Sequence, residues 1–321
     1  MALSRRDCLR LGVASLASAF ATARLKARAT WDLSARATWD PSDRSARRQP
    51  GVDADRSARL QPSGFKIGVT DWNLKLTGKT EAVALAKRIG FDGVQVSLGN
   101  VAAETLPLGD PAVQQAYLAE SKRVGLPLAS VCLDVLHRNY LKSDPLGPRR
   151  VADSIPIAKA LGVRVVLLPF FGNGALTTAA EMDFVGDALR EIAPAAERAG
   201  VILGLEDTIS SRDNVRIMER AKSPAILTYY DVGNSTRNGF NVVEEIRWLG
   251  RDRICEVHLK DNPHFLGEGP IDFPAIVAAL TDIGYTGWAQ LETDSPTKSI
   301  EADMARNLNY VRRLVAARRI G

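Results

Sequence analysis

The sequence predicts a single-domain α/β protein folded as a (β/α)8 TIM barrel, and three observations support this fold class. From Phe65 onward, eight short runs rich in valine, isoleucine and leucine alternate with amphipathic stretches of helical period. The runs are apolar throughout, as in parallel strands whose sheet is covered by helices. Eight strand-helix units in residues 65–321 fit a barrel of this kind, which takes about 250 residues.

Each predicted element follows from this alternation. The strands are predicted at 65–69, 93–98, 127–133, 164–169, 201–206, 226–231, 254–260 and 287–292. The helices are predicted at 79–89, 111–124, 148–161, 178–199, 211–221, 241–249, 272–283 and 297–318. Gly90, Gly162 and Gly284 each stand between a predicted helix and the next strand, which is the usual place for a helix-ending glycine.

A doubly wound open sheet is the alternative arrangement of alternating strands and helices. Such a sheet would carry a Gly-x-Gly-x-x-Gly phosphate turn after an early strand. That motif is absent after all eight predicted strands. We therefore expect the barrel.

Residues 1–26 are predicted to be an export signal. Arg5 and Arg6 precede an uncharged stretch from Leu11 to Ala23, which is shorter than the roughly 20 apolar residues of a membrane-spanning helix. The segment resembles a twin-arginine leader, which implies an exported protein, periplasmic or extracellular, with no stable membrane anchor after cleavage. An N-terminal helix with two incidental arginines is the alternative.

Residues 27–64 are predicted to be a disordered linker between this leader and the barrel. The segment contains Ala-Arg-Ala-Thr-Trp-Asp twice and Asp-Arg-Ser-Ala-Arg twice. Its small, polar and charged residues show no periodic apolar face, so burial cannot offset the entropy lost in ordering them. The folded part is therefore expected to be residues 65–321.

Replacing both leader arginines by lysine tests the export signal. The double variant Arg5→Lys with Arg6→Lys should stay in the cytoplasm as a precursor with a folded barrel, because the leader contributes nothing to the predicted core. Fractionation of cells that carry the variant or the unaltered chain measures this. Unchanged export of the double variant would contradict a twin-arginine route.

The charge distribution argues against a nucleic-acid partner. The chain has 42 Lys and Arg against 37 Asp and Glu, a net charge of +5. Residues 1–64 hold 12 of the basic and 6 of the acidic side chains, which leaves 30 basic and 31 acidic residues in 65–321. A near-neutral barrel does not offer the basic face that binds phosphate backbones. The three cysteines, one of them in the leader, imply no disulfide framework.

Four side chains that can bind a metal lie at the ends of the last four predicted strands. They are Glu206, Asp231, His258 and Glu292. The intervals between them, 25, 27 and 34 residues, are each about one strand-helix-strand unit, so all four return to the same rim of the barrel. Neighbouring strands are about 4.8 Å apart, which lets the four groups converge on one ion.

Three carboxylates and one imidazole form an oxygen-rich set of ligands. Such a set favours Mn²⁺ or Mg²⁺, with Co²⁺ or Fe²⁺ as further alternatives, over the sulfur-bound sites of structural zinc. We therefore expect one divalent ion, with Mn²⁺ as the first choice. Taken singly, each carboxylate could be a helix cap or an ion-pair partner, and His258 could be a hydrogen-bonded core residue.

Several short motifs resemble the xylose isomerase-like TIM barrels, and among them the sugar isomerase and epimerase branch that includes the ketose 3-epimerases. The motifs lie between residue 65 and about residue 315 and are Leu205-Glu206, Asp231-Val232-Gly233-Asn234, Val257-His258-Leu259-Lys260-Asp261, Gly267-Glu268-Gly269-Pro270-Ile271-Asp272-Phe273 and Gly287-Trp288-Ala289-Gln290-Leu291-Glu292. The resemblance implies that the four strand-end residues are the metal ligands. It also implies that Glu206 and Glu292 are the catalytic pair that transfers the substrate proton.

Two positions depart from the pattern of many ketose epimerases. Asn234 stands where a substrate-contacting histidine follows the strand-6 aspartate, and His264 stands where some members have an arginine. Both residues are predicted to bind substrate. The departures leave the predicted metal site intact and the identity of the sugar open.

Other rim residues are candidates for substrate binding. Trp72 could present an apolar wall to a sugar or simply close the barrel rim. His137 could bond a substrate hydroxyl from the loop after strand 3 or be solvated. Lys260 could steady a substrate oxygen or form a salt bridge to one of the two glutamates. Glu268 shares with His264 the loop after strand 7, which we interpret as a substrate cover.

These residues predict a divalent-metal-dependent isomerase or epimerase whose partner is a small sugar molecule, a ketose or keto-sugar. One glutamate would remove the proton beside the carbonyl to form a metal-stabilised enediolate, and the other would return it. Elimination of the aglycone from a 3-keto glycoside and a sugar-binding module without turnover are the alternatives. A DNA-repair nuclease of the same superfamily would need many histidines, and this chain has 3. A homo-oligomer is compatible with the sequence.

Overall fold

The computed structural model describes residues 64–100 and 105–318. The predicted leader, and the predicted linker apart from Gly64, lie outside the described residues. Within the described ranges, no helix combines the length and the apolar character needed to cross a lipid bilayer.

Eight parallel strands form a closed barrel in chain order. They are β1 (Lys66–Thr70), β2 (Gly93–Ser97), β3 (Leu128–Cys132), β4 (Val165–Pro169), β5 (Ile202–Glu206), β6 (Ile226–Asp231), β7 (Ile254–Leu259) and β8 (Trp288–Leu291). The barrel closes where β1 pairs with β8, from Lys66 opposite Trp288 to Val69 opposite Leu291. The predicted TIM barrel is confirmed, and the doubly wound sheet is excluded.

The helices lie in the connections between these strands and after the last strand. In the described part of the chain they are α1 (Glu81–Ile89), α2 (Pro111–Val124), α3 (Leu146–Ala160), α4 (Ala179–Ala199), α5 (Ser211–Ala221), α6 (Val232–Arg237), α7 (Val242–Leu249), α8 (Phe273–Asp282) and α9 (Ile300–Ala317). The predicted stop residues Gly90, Gly162 and Gly284 have φ angles of 105°, 70° and 69°, a left-handed conformation that favours glycine.

Helix α6 was not predicted from the sequence. It begins directly after β6 because Asp231 Oδ1 accepts a hydrogen bond from Asn234 N at 2.8 Å and so caps its first turn. Its six residues are too few to show an apolar period. Oδ1 of Asp231 therefore caps helix α6, and Oδ2 makes its contacts at the barrel rim.

The hydrophobic core lies mainly between the outer face of the barrel and the helices, where strand residues such as Val257 are fully buried. A smaller apolar cluster that includes Cys132, Leu167 and Tyr229 fills part of the barrel interior. Cys132 and Cys255 are both free thiols. The interior is therefore a packed layer that supports the rim from below.

Candidate metal centre

The four predicted ligands meet at the carboxyl-terminal rim of the barrel. Glu206 and Asp231 end β5 and β6, His258 is the penultimate residue of β7, and Glu292 directly follows β8. Because β5 to β8 are successive neighbours, the four side chains form a row along one side of the rim. One possible ligand atom from each residue lies within 4.8 Å of the other three. We call these four residues the rim cluster.

His258 lies at the centre of the rim cluster. Its Nδ1 is 2.9 Å from Glu206 Oε1, 3.4 Å from Glu292 Oε2 and 3.6 Å from Asp231 Oδ2. The imidazole is fully buried, and Glu206 and Asp231 are only 4% and 3% exposed. The Glu292 side chain is 19% exposed. The rim cluster therefore has a buried end at Glu206 and an open end at Glu292.

Three crowded carboxylates make the rim cluster attractive to positive charge. Burial by itself would lower the pKa of His258, but the charges of Glu292 and Glu206 and the hydrogen bonds to Asp231 and Glu206 raise it to about 10. Burial raises the pKa of Glu206 to about 8, although His258 opposes the shift. Burial also disfavours ionised Asp231, yet the cations around it, Lys260 first, hold the pKa of that carboxyl well below its usual range.

Lys260, the residue after β7, bridges two members of the rim cluster. Its Nζ is 2.6 Å from Asp231 Oδ2 and 2.6 Å from Glu292 Oε2, and the side chain is 11% exposed. Glycine at position 233 makes room for it, because a Cβ there would lie 2.5 Å from Lys260 Cγ. The predicted alternative of a salt bridge to a strand-end glutamate is therefore present.

The rim cluster fits a divalent cation that prefers oxygen ligands. Three carboxylates and an imidazole nitrogen suit Mn²⁺ or Mg²⁺. Two ligands that are each about 2.1 Å from one ion are at most about 4.2 Å apart, so a spread of 4.8 Å needs only a small contraction around the ion. With a neutral imidazole, the three carboxylates and the Lys260 ammonium sum to a charge of −2, which one divalent ion would balance.

Two further predicted substrate residues lie beside the rim cluster, in addition to Lys260. Trp72, in the loop after β1, donates a hydrogen bond from Nε1 to Glu292 Oε1 at 3.0 Å, and its ring centroid is 6.1 Å from that of His258. Asn234 is 6% exposed in the first turn of α6, and its Nδ2 has no hydrogen-bond partner among the described residues. An indole face and a free amide donor are groups that bind sugars.

The last three predicted substrate residues, His137, His264 and Glu268, are exposed and do not belong to the rim cluster. The His137 ring, after β3, stacks on Phe171 with 6.1 Å between the centroids. His264 lies in the loop after β7. Glu268, in the same loop, forms an ion pair with Arg306 of α9. Contact of these residues with a substrate stays a prediction.

Sequence reasoning missed a polar layer inside the barrel, beneath the rim cluster. Gln95 Oε1 is 2.9 Å from His258 Nε2, and the Tyr229 hydroxyl is 3.3 Å from Gln95 Oε1 and 3.1 Å from Glu256 Oε2. Gln95 and Glu256 are 0% and 1% exposed. The strand period of two was the available signal, because Tyr229 and Glu256 stand two residues before Asp231 and His258 and therefore face the same way, one layer deeper.

Comparison with known proteins gives one family and several relatives. Residues 83–314 match the family model described as xylose isomerase-like TIM barrel. The chain is 29% identical over 213 residues to 2-epi-5-epi-valiolone 7-phosphate 2-epimerase from an Actinoplanes species, an alignment that covers 64% of this chain and 76% of that protein. It is 27% identical over 262 residues to L-ribulose-5-phosphate 3-epimerase UlaE from Salmonella paratyphi C, with 74% and 90% covered.

A solved structure shows the same fold. D-psicose 3-epimerase from Clostridium cellulolyticum H10, solved with D-tagatose, superimposes with a TM-score of 0.66. The superposition covers 78% of this chain and 99% of that chain at 16% identity. At that identity the likeness concerns the arrangement of strands and helices.

Proposed function

The chain belongs to the xylose isomerase-like TIM barrel family, and from that premise we propose that it is a divalent-metal-dependent isomerase or epimerase of a ketose or keto-sugar. The arrangement of the rim cluster carries the proposal: Glu206 and Glu292 flank the cation-attracting centre formed by Asp231 and His258. The names of the two relatives support the same enzyme class, because both are epimerases.

The four residues of the rim cluster would hold the metal ion. A divalent ion bound there would polarise the substrate carbonyl and stabilise the negative charge that develops when the neighbouring C–H proton leaves. The ligand set supports Mn²⁺ as the first choice, followed by Mg²⁺, Co²⁺ and Fe²⁺. His258, with two carboxylates on one side and one on the other along the row of strands, would anchor the centre of the site.

Glu206 and Glu292 would transfer the proton. Their strands lie on either side of β6 and β7, so the two carboxylates would reach a bound sugar from two sides. One carboxylate would remove the proton from the carbon beside the carbonyl. The other would return a proton to the opposite face of that carbon in epimerisation, or to the neighbouring carbon in isomerisation. The stereochemistry of the substrate would decide which glutamate acts first.

The remaining predicted residues would bind and orient the sugar. Trp72 would cover one face of it, and the free Nδ2 of Asn234 would donate to a hydroxyl. Lys260 shares two carboxylate oxygens with the site of the ion, so its ammonium would turn to a substrate oxygen once an ion balances those charges. His137 and the loop that carries His264 and Glu268 would close the outer side of the pocket.

The predicted leader supports an exported location, periplasmic or extracellular, as part of this proposal. The names of both relatives specify phosphorylated substrates. Sugar phosphates are cytoplasmic metabolites, so an exported enzyme would not meet them. Export would therefore favour a sugar without phosphate, and sugars with and without phosphate should both be tested as substrates.

Exchange of substrate hydrogen with deuterated water tests the proposed function. The Mn²⁺-loaded protein should incorporate deuterium at the carbon next to the carbonyl of at least one sugar in a panel of ketoses, their phosphates and 3-keto glycosides, because proton transfer passes through the solvent-exchangeable carboxyl groups. Mass spectrometry of the recovered sugars measures this. Release of an aglycone without exchange would indicate elimination instead, and tight sugar binding without either reaction would indicate a binding module.

A further inference from the structure

The buried glutamine Gln95 contacts His258 on the side of the imidazole that faces away from the carboxylates. Gln95 Oε1 is 2.9 Å from His258 Nε2, whereas His258 Nδ1 is 2.9 Å from Glu206 Oε1. Both side chains are fully buried. The two ring nitrogens therefore have different partners, an amide on one side and the carboxylates of the rim cluster on the other.

The chemistry of these partners distinguishes the two nitrogens. An amide oxygen can only accept a hydrogen bond, so a bond from His258 to Gln95 Oε1 requires a proton on Nε2. A neutral imidazole carries one ring proton. An ion bound at Nδ1 takes the place of any proton there and leaves the one ring proton on Nε2, so the bond to Gln95 Oε1 matches the form of the imidazole that a metal ligand needs.

The surrounding network supports this orientation of the Gln95 amide. The Tyr229 hydroxyl lies 3.3 Å from the same Oε1, and its ring packs against the His258 ring with 4.6 Å between the centroids. Ser130 and Gln290 already donate to Glu256 Oε2 at 2.7 and 3.1 Å. The Tyr229 hydroxyl is also 3.1 Å from that carboxylate oxygen, so its one proton is shared between Glu256 and Gln95, and Gln95 Oε1 faces both the hydroxyl and His258 Nε2.

We propose that Gln95 is a positioning residue that selects the Nε2-protonated tautomer of His258 and so presents Nδ1 to the metal. The inference rests on the proposed function, since it assigns His258 the role of ligand. Gln95 is on β2, three strands away from β7 around the barrel on the β1 side, and reaches His258 across the interior. Its side-chain oxygen contacts His258 and Tyr229, and it acts on the site through His258.

Three substitutions test the role of this amide. Gln95→Met keeps the length of the side chain and removes the acceptor. Gln95→Glu keeps an acceptor at the same position and should rescue the function. Gln290→Met is the matched control, because Gln290 is also a fully buried barrel glutamine but its amide donates to Glu256. If Gln95→Met does not fold, Gln95→Asn replaces it, since the shorter side chain withdraws the acceptor.

Two measurements follow the binding of the metal ion and the ring proton of His258 separately. Titration of the full chain with Mn²⁺ alone should give a dissociation constant about 10–100-fold higher in Gln95→Met than in the unaltered chain. The Mn²⁺ dissociation constants of Gln95→Glu and Gln290→Met should stay within a few-fold of the value for the unaltered chain. In the Mg²⁺-loaded protein labelled with ¹⁵N-histidine, His258 should show an Nε2–H with the downfield proton shift of a hydrogen-bonded group, and Gln95→Met should move that proton resonance upfield.

The outcomes separate this inference from the proposed function. Unchanged Mn²⁺ affinity in Gln95→Met, equal losses in Gln95→Met and Gln290→Met, or an unprotonated Nε2 in the unaltered chain would each overturn the role of Gln95. Failure of the unaltered chain to bind Mn²⁺ would instead overturn the metal site and with it the role of Gln95, whereas normal Mn²⁺ binding in both the unaltered chain and Gln95→Met would overturn the role of Gln95 alone.

Discussion

Replacing either rim glutamate by glutamine should lower turnover by about two to four orders of magnitude. Glu206→Gln and Glu292→Gln each keep an oxygen that can bind a metal, but an amide cannot accept the substrate proton. Metal content should therefore fall less than in Asp231→Ala or His258→Ala, which remove a ligand altogether. Steady-state kinetics on a sugar identified by deuterium exchange, together with metal analysis of the same samples, measures both effects.

The two glutamine variants should also differ from each other. If the two carboxylates act on opposite faces of the sugar, one variant should block deuterium exchange from one epimer and leave some exchange from the other. Glu245→Gln is the matched control, because Glu245 is a half-buried glutamate of α7 that bonds the Tyr230 hydroxyl and does not belong to the rim cluster. Near-normal turnover in both rim variants would mean that Glu206 and Glu292 are only ligands.

Removal of the metal should abolish turnover and lower the melting temperature. An ion that binds only the folded state stabilises it by about 2.7 kcal/mol when the free ion is at 100 times its dissociation constant. For a domain of this size, each kcal/mol corresponds to about 2–4 °C in melting temperature. Dialysis against a chelator, followed by thermal melts with and without added Mn²⁺, should show a reversible shift of several degrees.

Ligand variants make the metal prediction specific. In Asp231→Ala and His258→Ala, added Mn²⁺ should no longer raise the melting temperature, whereas Glu245→Gln should respond like the unaltered chain. Metal analysis should give close to one ion per chain for the unaltered protein after loading. Absence of bound metal after loading, or an equal Mn²⁺ response in all variants, would contradict the rim cluster as the metal site.

The convergence of the rim cluster could be predicted because it depends on the order of the strands along the chain more than on the exact position of each side chain. In a barrel of parallel strands, every strand end returns to the same rim, so residues separated by one strand-helix-strand unit become neighbours. Small errors in the predicted bounds did not matter. Strand β8 ends at Leu291, one residue earlier than predicted, and Glu292 still belongs to the cluster.

The supporting residues were much harder to predict. Gln95 lies in the middle of β2 and Glu256 in the middle of β7, where a polar side chain can face either the interior or the helices. The strand period shows that Glu256 shares a face with His258, but it does not show which distant strand supplies the partner. Helix α6 was not predicted because six residues with one capping side chain show no helical period of apolar residues.

Local patterns of apolar residues and glycines were thus enough to predict the barrel and the rim on which its acidic residues meet. The periods of strands and helices depend on residues that are close in sequence. The right-handed crossover from one parallel strand to the next depends on a single strand-helix-strand unit. The contacts that complete the site depend on how the barrel closes. Trp72 bonds Glu292 across 220 residues of chain and Gln95 meets His258 across 163. Such contacts are set by the stagger of the strands and the packing of side chains in the closed interior, which only the three-dimensional arrangement defines.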